Sequence, residues 1–379
     1  MKKTVLYIID DLSGIGGAEL MLIAPLNDIR RQYNIILVTL EPDNFFGKDY
    51  YVGDRQYCLE MKSKKDVLKS AKKLKEIIKE NDVTFVHSFL YWSGIVARLA
   101  CGRKTPYLFS LATVMTEHIY RHTWYSGYTR LLERATYKKN HSVISPTKEV
   151  LEDFDGSIGI KGRSIVLYNF VLDEYFKNNI SYTLPAKGIK FIAVGNIKAV
   201  KNYQVIIDAF QLLPNYPISL DIYGLGDLEE SQTQQIKENN LAINLKGSHD
   251  KIFKILPYYD VFMMSSFTEG FGISAAEAMA IGLPLVLSDI KTLREVAHGN
   301  ALFFDPHNAQ SLANVIKSIV EGKEDLKKLS ERGKSIAQQN YSEEKYVAGL
   351  LNFYAKIPGN ISGVSKAERL VINQCMTNQ

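Results

Sequence analysis

The sequence predicts two α/β domains, each a parallel sheet covered by helices on both faces. Short apolar runs of strand length alternate with longer amphipathic patterns of helical period, the order expected when helices carry the chain between parallel strands. The alternation begins afresh after a polar stretch over residues 177–187. At 379 residues the chain is also too long for one ordinary core and suits two domains of roughly 150 to 200 residues each.

The first series of strand-like runs covers residues 5–9, 35–40, 83–86, 107–111 and 142–145. The second covers residues 189–194, 219–223, 243–245, 261–264 and 285–287. These runs are mostly apolar, as expected of strands covered on both faces. No short repeat of fixed period occurs, so the reading is two doubly wound domains and not a solenoid. The expected boundaries are residues 1–176 and 177–356, with a tail over residues 357–379.

Hydrophobic residues make up 46% and charged residues 23%, a balance that supports folded cores and excludes disordered or fibrous classes. Cys58, Cys101 and Cys375 are widely separated and odd in number, so neither a disulfide framework nor a CxxC metal knuckle is available. A reducing compartment, the cytoplasm, is expected. The run at residues 5–9 is stopped by Asp10 and Asp11, which suits a buried strand better than a signal peptide. No run approaches the roughly 18 apolar residues of a membrane helix. The net charge is only +5, and nucleic acid is not an expected partner. Eight lysines fall between Lys62 and Lys79. A solvated helix face is the simpler reading of them, and attraction to anionic lipid or substrate is the alternative.

In open sheets of this class, ligands bind where glycine-rich turns lead from strand ends into helix N-termini. Gly14-Ile15-Gly16-Gly17-Ala18-Glu19 is such a turn in the first half, and Gly195 and Gly224-Leu225-Gly226 mark two more in the second. A dinucleotide fingerprint would need a third glycine where Glu19 stands, and a carboxylate there would lie near the pyrophosphate. The nicotinamide or flavin reading is therefore disfavoured, although Glu41 ends the next strand.

The most informative stretch is Glu269-Gly270-Phe271-Gly272-Ile273-Ser274-Ala275-Ala276-Glu277, which follows a strand. Its spacing predicts a helix over residues 273–281, stopped by Gly282 and Pro284. The amides of Phe271, Gly272 and Ile273 would then open toward an anion, with a phosphate the natural guest. Glu269 in the loop and Glu277 in the helix can flank different parts of one ligand, and carboxylates accept well from sugar hydroxyls.

With these residues in place the chain resembles the retaining glycosyltransferases of family 4, which have the GT-B fold of two doubly wound Rossmann-like domains facing across a cleft. The resemblance rests on the ordered set IGGAE at residues 15–19, DVTFVHS at 82–88, VLYNFVLDEYF at 166–176, AVGNIKAVKN at 193–202, IYGLGD at 222–227 and EGFGISAAEAMAIGLPLVLSD from Glu269. It implies that Glu277 binds the ribose of a nucleotide, that Glu269 binds hydroxyls of the transferred sugar, and that the backbone of Gly270, Phe271, Gly272 and Ile273 meets sugar or phosphate. Lys201 matches one of two cations on the diphosphate. The family's second cation, an arginine, is replaced by Asn196, so Lys198 is the candidate substitute. A histidine often found near the reacting sugar is replaced by Ala112; His118 lies further on, with a surface role the simpler reading, and His87 is open to a core or a cleft role. The resemblance also places the acceptor at Gly16, Gly17 and the segment after Ala112, and returns the last helix, near residues 343–356, and the tail to the first domain.

The resemblance thus implies a hexosyl- or N-acetylhexosaminyl-type transferase. It would move sugar from a UDP- or GDP-sugar to a saccharide or lipid-linked saccharide in the synthesis of bacterial surface glycans. The nucleotide sugar is a substrate and no cofactor is implied. Neither is a metal: Asp153-Phe154-Asp155 is an Asp-x-Asp of the kind expected by chance, and the seven histidines show no ligand spacing. Aromatic and basic residues mixed between Tyr120 and Lys139 suit either an ordinary packed helix or a peripheral contact with the inner face of the membrane. A sugar-nucleotide epimerase of the same fold and a non-catalytic nucleotide-sugar-binding protein are the rival readings.

Overall fold

The computed structural model describes residues 2–14, 16–42, 51–102, 105–114, 123–177, 182–183 and 188–357, without the side chains of residues 123–126. Two compact units emerge, one made of Met1–Asn169 with Glu344–Gln379 and the other of Phe170–Glu343.

The first unit holds β1 (Lys3–Ile9), β2 (Tyr33–Thr39), β3 (Arg55–Cys58), β4 (Val83–Phe89), β5 (Tyr107–Ser110), β6 (His141–Ser145) and β7 (Ser164–Val166). They lie in the order β3-β2-β1-β4-β5-β6-β7, and every pair is parallel. Crossovers are made by helices α1 (Gly17–Ile23), α2 (Leu26–Ile29), α3 (Val67–Glu80), α4 (Tyr91–Ala100), α5 (Thr123–Thr136) and α6 (Lys148–Ser157). In α3, Val67, Ala71, Leu74 and Ile78 face the core at helical spacing, while most of the lysines between Lys62 and Lys79 are exposed. The lysine run thus lies on an exposed face of the helix. Asp153-Phe154-Asp155 lies inside α6, where Phe154 is buried and Asp155 accepts from the Ile160 N–H at 2.7 Å.

α4 and α5 share one fully buried ion pair, Arg98 with Glu133. Arg98 also donates from Nε to the Gly94 carbonyl and lies over the Phe109 ring.

The second unit begins with α7 (Asp173–Lys177) and holds β8 (Ile189–Val194), β9 (Ile218–Tyr223), β10 (Ile243–Leu245), β11 (Val261–Met264), β12 (Leu285–Ser288) and β13 (Leu302–Phe304). Their order is β10-β9-β8-β11-β12-β13, again wholly parallel. The helices are α8 (Tyr203–Gln211), α9 (Glu229–Glu238), α10 (Ile273–Ile281), α11 (Lys291–Val296), α12 (Ala309–Val320) and α13 (Leu326–Asn340), and α14 (Glu343–Ala355) follows. Strand order reverses between β8 and β11, which brings the turns after these two strands side by side at their carboxyl ends.

The boundaries fall before the expected 176/177 and 356/357. Residues 170–177 belong to the second unit because the Val171 N–H donates to the Tyr341 carbonyl at 2.8 Å and Val171 bridges to Ser342. α14 returns to the first unit because its Tyr354 is buried there, with its hydroxyl 2.8 Å from Tyr7 Oη and 2.6 Å from His87 Nδ1. His87 completes the network at Ser110 Oγ, 2.7 Å away. Burial pushes the His87 imidazole down to about 3, so it stays neutral and serves as a core hydrogen-bonding group.

Candidate functional site

Residues after β8 and β11 build the site. Gly195, at φ +154°, turns the chain out of β8, and its N–H donates to the Tyr223 carbonyl at the end of β9. Ile197 is fully buried and pairs with the next turn, its N–H donating to the Leu225 carbonyl. The two turns touch backbone to backbone: a Cβ on Gly224 would collide with the Gly195 carbonyl, and one on Gly226 with the Ile197 carbonyl. Glycine is required at both positions for that close approach. A short 3-10 turn over Ala199–Lys201 then presents Lys201, and Asn202 enters α8 in the left-handed region at φ 51°.

On the neighbouring strand end, Ser265 Oγ donates to the Lys201 carbonyl at 2.7 Å and the Phe267 N–H donates to the Val200 carbonyl at 2.9 Å. The loop after β11 is therefore fastened to the loop after β8. Glu269 follows, and its Oε1 accepts from Lys201 Nζ at 2.6 Å and from Ser266 Oγ at 2.6 Å. Lys201 and Glu269 side chains are 24% and 11% exposed, so the pair is sheltered yet reachable.

α10 opens immediately afterwards. Gly272 is its N-cap at φ 86°, a conformation that disfavours a side chain, and no side chain caps the helix. Among the described residues no backbone acceptor pairs with the N–H groups of Ile273 and Ser274, which leaves the positive end of the helix toward the loop. Ser274 Oγ donates to the Val194 carbonyl and holds this helix start against the end of β8. Phe271 is buried with its ring edge-on to Tyr341 at 5.3 Å, so only its backbone can serve the site.

Glu277 lies further along α10 and is partly buried. Burial pushes its carboxyl up to about 7, opposed by a hydrogen bond from the Tyr175 hydroxyl of α7. Sequence reasoning missed Tyr175, Ser266 and Thr292, the last of which donates to the Glu269 carbonyl at 3.0 Å. The closely spaced hydroxyls of Ser265, Ser266 and Thr268 were the available signal for Ser266.

Asn196 and Lys198 are exposed on the loop that carries Lys201; the Lys198 N–H donates to the Asn196 carbonyl at 2.9 Å. Neither side chain joins the Lys201–Glu269 contact. Gly16 and Gly17 belong to the first unit, where Gly16 caps α1. The Glu19 carboxylate folds back onto the Gly16 N–H and is raised by burial, so a carboxylate occupies the helix start that a dinucleotide would need. Asp10, pushed up to about 6 by burial, accepts from the Ser93 N–H at the start of α4. His118, Tyr120, Arg121 and Cys375 lie outside the described residues. Among the described residues no group of three or more His, Cys, Asp or Glu side chains is arranged to hold a metal ion, and no helix is long and apolar enough to cross a membrane.

Two parallel doubly wound units, with a cation, a carboxylate and an open helix N-terminus at the strand-order reversal of the second, define a nucleotide-sugar transferase class of architecture. Residues 15–174 match the family described as Glycosyltransferase Family 4, and residues 176–336 match that described as Glycosyl transferases group 1. These consecutive matches take in most of the chain, which belongs to the family 4-type glycosyltransferases of GT-B fold.

Relatives agree across most of their length. An uncharacterized glycosyltransferase of Methanocaldococcus jannaschii is 24% identical over 294 residues, 75% of this chain and 78% of the relative. The O-antigen biosynthesis glycosyltransferase WbnH of Escherichia coli is 24% identical over 311 residues, 80% of this chain and 86% of the relative. Among solved structures, Anabaena HepE in complex with UDP superposes with a TM-score of 0.77 at 19% identity, covering 92% of this chain and 99% of HepE. Sucrose-phosphate synthase of Thermosynechococcus elongatus gives 0.76 at 17% identity, covering 94% and 99%. At these identities the superpositions establish the fold.

Proposed function

We propose that this glycosyltransferase takes a hexosyl or N-acetylhexosaminyl group from a nucleotide diphosphate sugar, with UDP favoured over GDP, and transfers it with retention to a saccharide or lipid-linked saccharide of a surface glycan. The observation that carries the donor site is the Lys201–Glu269 contact beside the open start of α10. A diphosphate gains negative charge as the sugar leaves, and a preorganised ammonium and helix N–H groups stabilise that charge without further reorganisation. Lys201 keeps two N–H donors for phosphate beyond the one on Glu269. Glu269 is left to accept from hydroxyls of the transferred sugar and Glu277 from the ribose. UDP is favoured because HepE, of the same fold, was solved with it, and the glycan role because relatives include O-antigen glycosyltransferases of Escherichia coli and Salmonella typhimurium.

In the reaction, the bond from the anomeric carbon to the phosphate oxygen breaks and one from the same carbon to the acceptor oxygen forms on the same face. The acceptor proton passes to the leaving phosphate oxygen, which needs no protein nucleophile and no metal. Lys198 and Asn196 border the diphosphate region, and Gly16 and Gly17 lie on the acceptor side. The protein would act in the cytoplasm, with any membrane contact peripheral.

Calorimetric titration with UDP, GDP and ADP and their sugars, followed by turnover in excess EDTA, tests the reading. Submicromolar to micromolar binding of one nucleotide class and transfer that survives EDTA are expected. Isomerisation of the donor would identify an epimerase, binding without turnover a non-catalytic protein, and activity restored only by Mg2+ or Mn2+ a metal-dependent enzyme.

A further inference from the structure

Glu269 has two carboxylate oxygens, and both of its side-chain hydrogen bonds in the structure fall on one of them. Lys201 Nζ and Ser266 Oγ each lie 2.6 Å from Oε1, while no described residue donates to Oε2. Ser266 is itself fully buried and immobilised, because its carbonyl accepts from Ser288 Oγ at the end of β12 at 2.6 Å. The Glu269 backbone is pinned independently by Thr292 Oγ1 at 3.0 Å. A lysine alone would not fix the carboxylate plane, since an ammonium on a four-carbon stem is a rotatable point charge. A hydroxyl three residues back in the same loop, on a backbone tied to the adjacent strand, does fix it.

We propose that Ser266 is a positioning residue for the transfer: it locks Oε1 of Glu269 so that Oε2 is presented to the hydroxyls of the transferred sugar. This rests on the reading that Glu269 binds the sugar. Ser266 touches neither nucleotide nor sugar, so its effect must run through Glu269 and appear in turnover. Free UDP, which lacks the sugar, should not sense it.

The test compares wild type, Ser266→Ala, Ser266→Thr and Glu269→Ala. Two quantities are measured on each full-length protein: UDP affinity by calorimetry, and kcat and KM for nucleotide release from UDP-glucose, or from whichever sugar of the panel above the wild type turns over. For Ser266→Ala the expected result is a kcat lowered about tenfold, the weight of one hydrogen bond to a charged group, with UDP affinity within twofold of wild type. Ser266→Thr, which retains the hydroxyl, should recover most of the kcat. A Ser266→Ala enzyme with wild-type kcat beside an inactive Glu269→Ala would overturn the positioning role and leave the sugar-binding reading intact. A Glu269→Ala enzyme with wild-type kcat would overturn the sugar-binding reading and this inference with it. Equal losses in the Ala and Thr variants, together with weakened UDP binding, would show that Ser266 only supports the fold, and that also overturns the proposal.

Discussion

Lys201 Nζ lies 2.6 Å from Glu269 Oε1, so the cation assigned to the diphosphate and the carboxylate assigned to the sugar are in direct contact across 68 residues of sequence. On the proposed donor site the pair would couple the two halves of one donor, and its charges are only partly screened because both side chains are mostly sheltered.

That contact gives the two glutamates opposite signatures toward UDP. Glu269→Ala removes an anion from beside Lys201, so UDP affinity should hold or rise while turnover falls by roughly 10²-fold, the scale of one preorganised electrostatic contact. Glu277→Ala should weaken UDP itself by about tenfold, as expected for one lost hydrogen bond to a charged acceptor. Calorimetry with UDP on the two variants separates them, and equal losses would show the roles wrongly divided.

Glu277 also predicts a pH dependence. Its carboxyl is raised by burial to about 7, so a protonated fraction exists at neutral pH, and a protonated carboxyl accepts poorly from ribose hydroxyls. UDP affinity should therefore rise by about tenfold from pH 6 to pH 8 as the group ionises. Stability carries the opposite sign: the folded state holds this proton more tightly than the unfolded chain, so Glu277's contribution is present at low pH and lost as pH rises through about 7. Tyr175 donates to the carboxylate and lowers its pKa, so Tyr175→Phe should move the affinity rise to higher pH. Glu277→Gln corrects for titration of the phosphate itself and should flatten the remainder. A wild-type profile identical to that of Glu277→Gln would remove Glu277 from the ribose contact.

The buried Arg98–Glu133 pair makes a separate claim about the first unit. Both side chains are 0% exposed, so Glu133→Ala leaves a buried guanidinium unpaired. Loss of one partner of such a pair costs about 3 to 5 kcal/mol. Urea unfolding should show that loss, and a change below about 1 kcal/mol would mean that water reaches Arg98 in the variant.

The central strands were legible in the sequence because burial on both faces writes them as continuous apolar runs. β3, β7 and β13 were not: β3 is an edge strand whose Arg55 and Gln56 are exposed, and β7 and β13 have three residues each. α10 was legible to its ends, since Gly272 and Gly282 both adopt φ values that disfavour side chains and so bracket the helix. Lys201, Glu269 and Glu277 were readable as members of the proposed donor site only through their resemblance to a family. The Lys201–Glu269 contact depends on β8 and β11 being neighbours, which no local pattern states. Ser266 and Tyr175 escaped for a related reason, because a loop serine and a helix tyrosine acquire meaning only from the carboxylates they reach. His87, open to two roles in the sequence, proved to be core once α14 brought Tyr354 against it.

The most direct measurement of the proposed donor site is turnover by Lys201→Ala beside Lys198→Ala, with the donor that the wild type uses. Lys201 touches Glu269 at the strand-order reversal, whereas Lys198 is exposed and outside that contact. Lys201→Ala should lower kcat by roughly 10²-fold or more, the cost of removing one preorganised charge from a developing anion, and Lys198→Ala should stay within a few-fold of wild type. A Lys201→Ala enzyme of near-normal kcat would contradict the assignment of the diphosphate to this loop.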